Sequence, residues 1–167
     1  WTLFDFSMSH ELGHSLGLWH SNGLDCGESS FGTSCTHIEY GNHFSVMGYG
    51  NAYSLHFNGL YKELLGWIAP ENSLSIRTTG TYTINNLETG SGINVAKIFT
   101  PGASLPLFSL ELRKGIGFDS KLNQSPYLSN QSGLMVNTIS LGRNAQLLDM
   151  SPTTDLWHAD TSNTTLN

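Results

Sequence analysis

The hydrophobic and polar positions of the chain follow different periods in its two parts. Up to residue 69, apolar residues recur every three or four positions, as on the buried face of a helix. From Glu71 onward they alternate with polar residues, as in half-buried strands. The pattern therefore predicts an α+β fold with a helical region at residues 1–69 and a β-rich module at residues 70–167.

Two helices are predicted in the first region, with a loop between them. The first covers residues 3–16, where apolar side chains four positions apart predict one buried stripe of Phe4, Met8, Leu12 and Leu16. The second precedes Pro70, which is expected to end it, and its apolar face comprises Phe57, Leu60, Tyr61, Leu64, Leu65 and Ile68. Between them, residues 21–44 are rich in Gly, Ser, Thr and Asn and predict an irregular loop.

Short strands are predicted in the second region, and together they favour a β-sandwich. They cover residues 81–84, 95–99, 108–113, 134–139 and 146–150. Within residues 108–113 the alternation places the apolar side chains inward and leaves Glu111 and Arg113 on the outer face. There, a solvated ion pair is favoured over contact with a substrate.

Composition narrows the classes of partner. The net charge is −6 and only 12% of residues are charged, with no cluster of Lys and Arg to neutralise phosphates. This argues against a nucleic-acid partner. No apolar run approaches the ~20 residues that a membrane-spanning helix needs, so no membrane span is expected.

The strongest chemical signal is the spacing of three histidines. His10 and His14 lie one helical turn apart, so both rings can be directed at one point. Gly17 accepts the left-handed conformation that ends helices, which lets the chain turn and bring His20 to the same point. Three imidazoles with a fourth position open for water make a catalytic zinc site. Glu11, one step round the helix from His10, is placed to accept a proton from that water as a general base.

Other readings of the same residues remain open. Residues 10–14 have the pattern HExxH, which occurs in more than one class of zinc enzyme. In one class the third ligand is a downstream glutamate in place of a residue such as His20, and the candidates here are Glu28, Glu39 and Glu63. His37 and His43 are alternative ligands. A zinc-stabilised binding or adhesion module without turnover also fits the sequence, and its β-rich part would then be the working surface.

The pattern HExxHxxGxxH at residues 10–20, followed by Ser-Val-Met-Gly-Tyr at residues 45–49, resembles the signature of the metzincin zinc endopeptidases. The resemblance implies that the three histidines hold Zn²⁺, that Glu11 is the general base and that Met47 forms an apolar floor beneath the imidazoles. It also implies a role for Tyr49, at the position of a tyrosine that helps to stabilise the oxyanion in some metzincins. A packed turn aromatic is the alternative for Tyr49.

A narrower resemblance is to the gametolysin-like peptidases, especially their bacterial members. It rests on Tyr-Gly-Asn-His-Phe-Ser-Val-Met-Gly at residues 40–48, His-Phe-Asn at 56–58 and Leu-Gly-Trp at 65–67, and less specifically on residues 108–113, 117–119 and 147–152. The resemblance implies a secreted enzyme acting on proteins or peptides, with residues 1–69 as the lower part of a catalytic domain. The subdomain that precedes the active-site helix in metzincins is expected to be absent, and the β-rich module incomplete.

Cys26 and Cys35 lie in the Gly- and Ser-rich segment after the third histidine. Because a secreted peptidase meets oxidising conditions, a disulfide between them is favoured. Free thiols and an accessory metal site are the alternatives.

Overall fold

The computed structural model describes residues 3–49, 56–123, 133–140, 144–150, 152 and 165–166. Within these residues the helices are α1 (Leu3–Ser15) and α2 (Gly59–Leu64), and short 3-10 turns lie at Pro70–Asn72, Leu87–Thr89 and Gly117–Asn123. The strands are β1 (Asn22–Asp25), β2 (Thr36–Ile38), β3 (Ser73–Ile76), β4 (Val95–Ile98), β5 (Phe108–Arg113), β6 (Gly133–Ser140), β7 (Asn144–Leu148) and β8 (Thr165–Leu166). The fold is mixed α+β, as the sequence pattern indicates.

The described strands form one sheet that both regions of the chain share. Its order is β2-β1-β7-β6-β5-β4-β3, and β8 pairs with β6. β1 pairs with β7 in parallel, as β3 does with β4, and the other neighbours are antiparallel. Because β1 and β2 precede α2 and yet join the later strands, a sandwich confined to residues 70–167 does not describe the observed arrangement. The described strands form an open mixed sheet instead.

The β-rich region matches its prediction in four strands and departs from it in three places. β4, β5, β6 and β7 correspond to predicted strands, whereas β3 and β8 were not predicted. The prediction of a strand at residues 81–84 is wrong. There the hydroxyl of Tyr82 donates to the carbonyl of Thr78 at 2.8 Å, a local turn contact in place of a ladder.

The segment after the third histidine is more regular than its composition indicates. β1 and β2 pair antiparallel with Asp25 opposite Thr36, and the disulfide Cys26–Cys35 closes the segment directly beyond that pair. The favoured disulfide is therefore confirmed. The backbone of this hairpin satisfies its own hydrogen bonds, which a structureless loop of this length would leave to water.

The buried face of α1 is not the predicted apolar stripe. The large apolar side chains of Met8, Leu12 and Leu16 are all about half exposed, at 59%, 57% and 46%. Phe6 and His10 are 8% and 7% exposed, and Gly13 is buried with them. Positions 6, 10 and 13 share one face at helical spacing. The prediction of the stripe is wrong because the face that carries the histidines is the one that packs on the core.

Helix α2 buries only part of the predicted apolar face, since Leu64 is 50% exposed, and it ends earlier than predicted. Leu60 and Tyr61 are buried, and the side chain of Asn58 caps the first turn by accepting from the backbone N–H of Tyr61 at 2.9 Å. Gly66 adopts φ +73°, a left-handed conformation that stops the helix four residues before Pro70. Pro70 instead opens a 3-10 turn.

Candidate metal centre

The end of α1 places the histidines through a backbone motif built on Gly17. This residue has φ +87°, and its N–H donates to the carbonyl of His14 at 2.9 Å while the N–H of Leu18 donates to the carbonyl of Gly13 at 3.0 Å. These two bonds are a Schellman motif, which needs a left-handed residue at the position of Gly17. The chain therefore reverses immediately after the helix, in the way that the spacing predicts.

The structure brings the three predicted histidines together. His10, His14 and His20 each offer a ring nitrogen, and these atoms lie within 4.8 Å of one another. The ring centroids are 4.8 Å apart for His10 and His14, 5.0 Å for His14 and His20, and 5.5 Å for His10 and His20. We call this group the three-histidine centre. It could hold a metal ion.

Each ring of the three-histidine centre is oriented by an oxygen acceptor at its Nδ1 atom. His10 Nδ1 lies 2.7 Å from the carbonyl oxygen of Val46, and His14 Nδ1 lies 2.9 Å from that of Leu18. His20 Nδ1 lies 2.8 Å from Glu39 Oε1. An acceptor at Nδ1 fixes the proton there and leaves Nε2 with its lone pair, which is the usual second contact of metal-ligating histidines. The residues present therefore fit a divalent metal ion.

Burial also favours a neutral imidazole at the innermost ligand. Burial lowers the pKa of His10, and the neighbouring His14 and His20 act in the same direction, against the Val46 carbonyl and Glu11. A metal ligand must be neutral imidazole. His14 and His20 are half-buried, and Glu11 is exposed beside them, so the centre has an open side.

Met47, predicted as an apolar floor, packs against helix α1 at Gly13, the residue before His14. It is fully buried, and a Cβ atom added to Gly13 would overlap its sulfur and lie 3.0 Å from the ring of Phe57. Glycine at position 13 therefore lets the helix approach the methionine. The carbonyl of Met47 accepts from the N–H of Ser21 at 2.7 Å, which ties the turn to the segment after His20.

Tyr40, which was not among the predicted site residues, lies against the three-histidine centre. Tyr49, the predicted oxyanion donor, is 49% exposed and stacks on His43 at 5.1 Å. The ring of Tyr40 lies 4.0 Å from that of His20 and 6.0 Å from that of His10. Its φ of +60° is unusual for a non-glycine residue. The only signal in the sequence was that Tyr40 opens the stretch resembling gametolysin-like peptidases.

The alternative ligands have other partners. Glu39 binds the Nδ1 atom of His20, so it supports that ring. Glu63 pairs with Lys97 at 2.5 Å. Glu28 is exposed, and the Nδ1 atom of His37 lies 2.7 Å from Gln146 Nε2.

A buried tyrosine connects the centre to the sheet. The hydroxyl of Tyr61 donates to the carbonyl of His20 at 2.9 Å and accepts from the N–H of Ala145 in β7 at 3.3 Å. Tyr61 is fully buried, which raises its pKa to about 12 and keeps the hydroxyl protonated at neutral pH. Through Tyr61 of α2, the backbone at His20 is therefore linked to β7 of the second region.

Glu111 and Arg113 correct the prediction of an outward ion pair. Arg113 Nη1 donates to Glu111 Oε1 at 2.9 Å, so the pair exists, but the two residues are only 2% and 0% exposed. Arg113 also donates from Nε and Nη2 to the two carboxylate oxygens of Asp119, each at 2.5 Å. The guanidinium of Arg113 holds the pKa of Asp119 well below its usual range, although burial alone would raise it. The charged face of β5 is therefore the buried face.

Comparison of the chain with models of known protein families, with curated proteins and with solved structures gave no match. The family assignment therefore remains a proposal supported by the residues themselves. Among the described helices, none is long and apolar enough to cross a membrane.

Proposed function

We propose that this chain carries the catalytic centre of a secreted zinc-dependent endopeptidase of the metzincin class, similar to the gametolysin-like peptidases. The observation that carries the proposal is the arrangement of His10, His14 and His20. Each ring has its Nδ1 atom held by an oxygen acceptor, and one nitrogen from each ring lies within 4.8 Å of those of the other two. Three neutral imidazoles with an open side are the protein ligands of a hydrolytic zinc site.

Zinc held by these nitrogens would lower the pKa of a water ligand toward ~7 and polarise the carbonyl group of a bound peptide. Glu11 is the neighbouring carboxylate, exposed on the next position of α1. Its role is to accept one proton from the attacking water while the water oxygen bonds to the carbonyl carbon. When the C–N bond breaks, Glu11 returns that proton to the amine nitrogen, so the products are a carboxylic acid and an amine.

The surroundings of the centre support this chemistry. Val46, Leu18 and Glu39 fix the three rings, so little reorganisation is needed when a metal binds. Tyr49 remains a candidate donor to the oxyanion, and the ring of Tyr40 flanks His20 at the same centre. The disulfide in the adjoining hairpin is compatible with an extracellular protein.

The test of the proposal is the variant Glu11→Gln, which keeps the side-chain shape and removes the base. We expect kcat for cleavage of casein or a quenched peptide substrate to fall at least ~100-fold, because loss of a general base typically costs that much or more. The bound zinc, measured by atomic absorption, should be unchanged. A chelator should abolish the activity of the unmodified chain, and added zinc should restore it.

Glu28→Gln is the matched control, since Glu28 is also exposed and lies outside the centre. It should retain full activity and zinc. Equal activity of Glu11→Gln and the unmodified chain would contradict the mechanism. Stoichiometric zinc at the three-histidine centre with no cleavage of any substrate would instead support the binding or adhesion module.

A further inference from the structure

A second group of convergent ligand atoms lies outside the three-histidine centre. It consists of His56, Glu88 and Asp119, and we call it the His56 cluster. One ligand atom from each residue lies within 4.8 Å of the other two. His56 Nε2 lies 2.5 Å from Glu88 Oε1 and 3.4 Å from Asp119 Oδ1. The three residues come from the segment before α2, the 3-10 turn Leu87–Thr89 and the 3-10 turn Gly117–Asn123.

The imidazole of His56 is buried, and its contacts with Glu88 and Asp119 are ion-pair contacts rather than aligned hydrogen bonds. The residue is 8% exposed, and neither ring nitrogen has a hydrogen-bond partner among the described residues. Nε2 thus faces two carboxylate oxygens at close range without the alignment of a hydrogen bond. Buried polar atoms without partners are rare and call for an explanation such as an ion.

The balance of charges around His56 favours the binding of a cation. The three carboxylates of Glu88, Asp119 and Glu111 outnumber by one the two basic side chains that pair with them, Arg113 and Lys62. An unmatched buried charge is costly. A bound cation would remove that cost.

The two carboxylates are already oriented by contacts on their outer sides. Asp119 Oδ2 accepts from Arg113 Nε at 2.5 Å, and Glu88 Oε2 accepts from the N–H of Phe118 at 2.9 Å. The oxygens that face His56 also meet cations, since Arg113 Nη2 donates to Asp119 Oδ1 at 2.5 Å and Lys62 Nζ lies 3.4 Å from Glu88 Oε1. A carboxylate oxygen has two lone pairs, so each can keep such a contact and still bind an ion.

A cavity adjoins the cluster at Glu88. It has a volume of about 450 Å³ and is lined by Glu88 together with Lys62, Trp67, Leu87, Asn94 and Phe118. His56 and Asp119 are not part of its lining, so Glu88 is the residue of the cluster that borders this space.

We propose that the His56 cluster is a second metal site, which binds a divalent transition-metal ion such as zinc. One imidazole with two carboxylates suits zinc, whereas calcium and magnesium prefer oxygen ligands alone. The role of the site is structural. The carbonyl of His56 accepts from the N–H of Val46 at 3.2 Å, and the carbonyl of Val46 holds the ring of His10. An ion at His56 would therefore fix the segment that backs the three-histidine centre.

The test measures zinc stoichiometry. The chain is stripped with a chelator, dialysed against zinc and assayed by atomic absorption. We expect two equivalents for the unmodified chain, one for His56→Ala, one for His14→Ala and none for the double variant. Glu88→Gln keeps the shape of the side chain, and it should weaken the second equivalent at least ~10-fold in a competition titration with a zinc indicator.

Glu63→Gln is the matched control, since Glu63 is a half-buried carboxylate paired with a lysine outside the cluster. It should keep two equivalents. The proposal is overturned if the unmodified chain binds one equivalent that His14→Ala removes and His56→Ala keeps, or if Glu88→Gln binds both as tightly as the control does. In either case the cluster is an ion-pair network only. Should His56→Ala fail to fold by circular dichroism, the titration of Glu88→Gln decides the question. Because the readout is metal content at a separate site, its failure leaves the peptidase proposal standing.

Discussion

The three-histidine centre and the His56 cluster both direct imidazole nitrogens at neighbouring ligand atoms, but their surroundings differ in charge. In the first, three imidazole rings face one another and each Nδ1 atom has an oxygen acceptor. In the second, one ring faces two carboxylates, and neither of its nitrogens has a hydrogen-bond partner in the described part of the chain. The first could hold a metal ion at a half-open surface, and the second lies inside the fold among paired charges.

This difference in charge predicts how substitutions at each of the two groups of residues affect the protein. The three-histidine centre leaves no buried carboxylate unpaired in the absence of a metal, because its candidate ligands are imidazoles and two of the three are partly exposed. Beside the His56 cluster, Arg113 compensates the carboxylates of Glu111 and Asp119, and its removal leaves both uncompensated in the interior. We therefore expect substitutions at the three-histidine centre to alter function, and substitutions among the buried charges around Arg113 to alter stability.

The largest expected effect follows from Arg113→Met, which keeps the length of the side chain and removes its charge. Removing one partner of a buried ion pair typically costs ~3–5 kcal/mol, because the other charges remain buried. The free energy of unfolding in urea should fall by about that amount. Zinc binding at the three-histidine centre should persist at low denaturant.

Lys114→Met is the control for this substitution, since Lys114 is the next residue and is exposed. Its free energy of unfolding should differ from that of the unmodified chain by less than ~0.5 kcal/mol. If Arg113→Met were no more destabilising than Lys114→Met, the buried charges would not depend on the guanidinium, and the comparison between the two regions would fail.

A smaller effect is expected at the outer side of the three-histidine centre. Glu39→Gln replaces the carboxylate that accepts from His20 Nδ1 with a weaker acceptor. Loss of such a contact typically lowers metal affinity 10–100-fold, and because Glu39 is 63% exposed we expect about 10-fold. A zinc competition titration measures this, with Glu28→Gln as the control. Complete loss of zinc would indicate that Glu39 is itself a ligand, as in the alternative class of HExxH enzymes.

The geometry of the three-histidine centre was accessible from sequence because it is local. His10, His14 and His20 lie within eleven positions, and the helix and the left-handed Gly17 fix their relative places. Part of the supporting shell is local too, since Leu18 holds His14. The contact of Val46 with His10 spans 36 positions, and no periodicity encodes it.

The errors in the sequence reasoning come from tertiary partners that a local pattern does not contain. The alternation in β5 predicts that Glu111 and Arg113 are solvated. Inside the fold, however, Glu111 accepts from the N–H of Gly59 and Arg113 donates to Asp119. The joining of β1 to β7 likewise links Asn22 to Gln146, which no local signal predicts. Hydrophobic periodicity identifies an element, but it assigns the buried face wrongly where polar groups are paired with each other.

The smallest expected effect separates the two tyrosines. The ring of Tyr40 packs on His20 at 4.0 Å, and an aromatic contact of this kind is worth ~0.5–1.5 kcal/mol. Tyr40→Ala should therefore lower zinc affinity about 2- to 10-fold in the same competition titration. Tyr49→Ala removes a ring that stacks on His43, and it should leave zinc affinity unchanged. Peptidase assays of the two variants then test the role that the metzincin resemblance gives to Tyr49. A reduced kcat with normal zinc affinity in Tyr49→Ala would favour the oxyanion role, and unaltered kcat would leave Tyr40 as the tyrosine that matters to the centre.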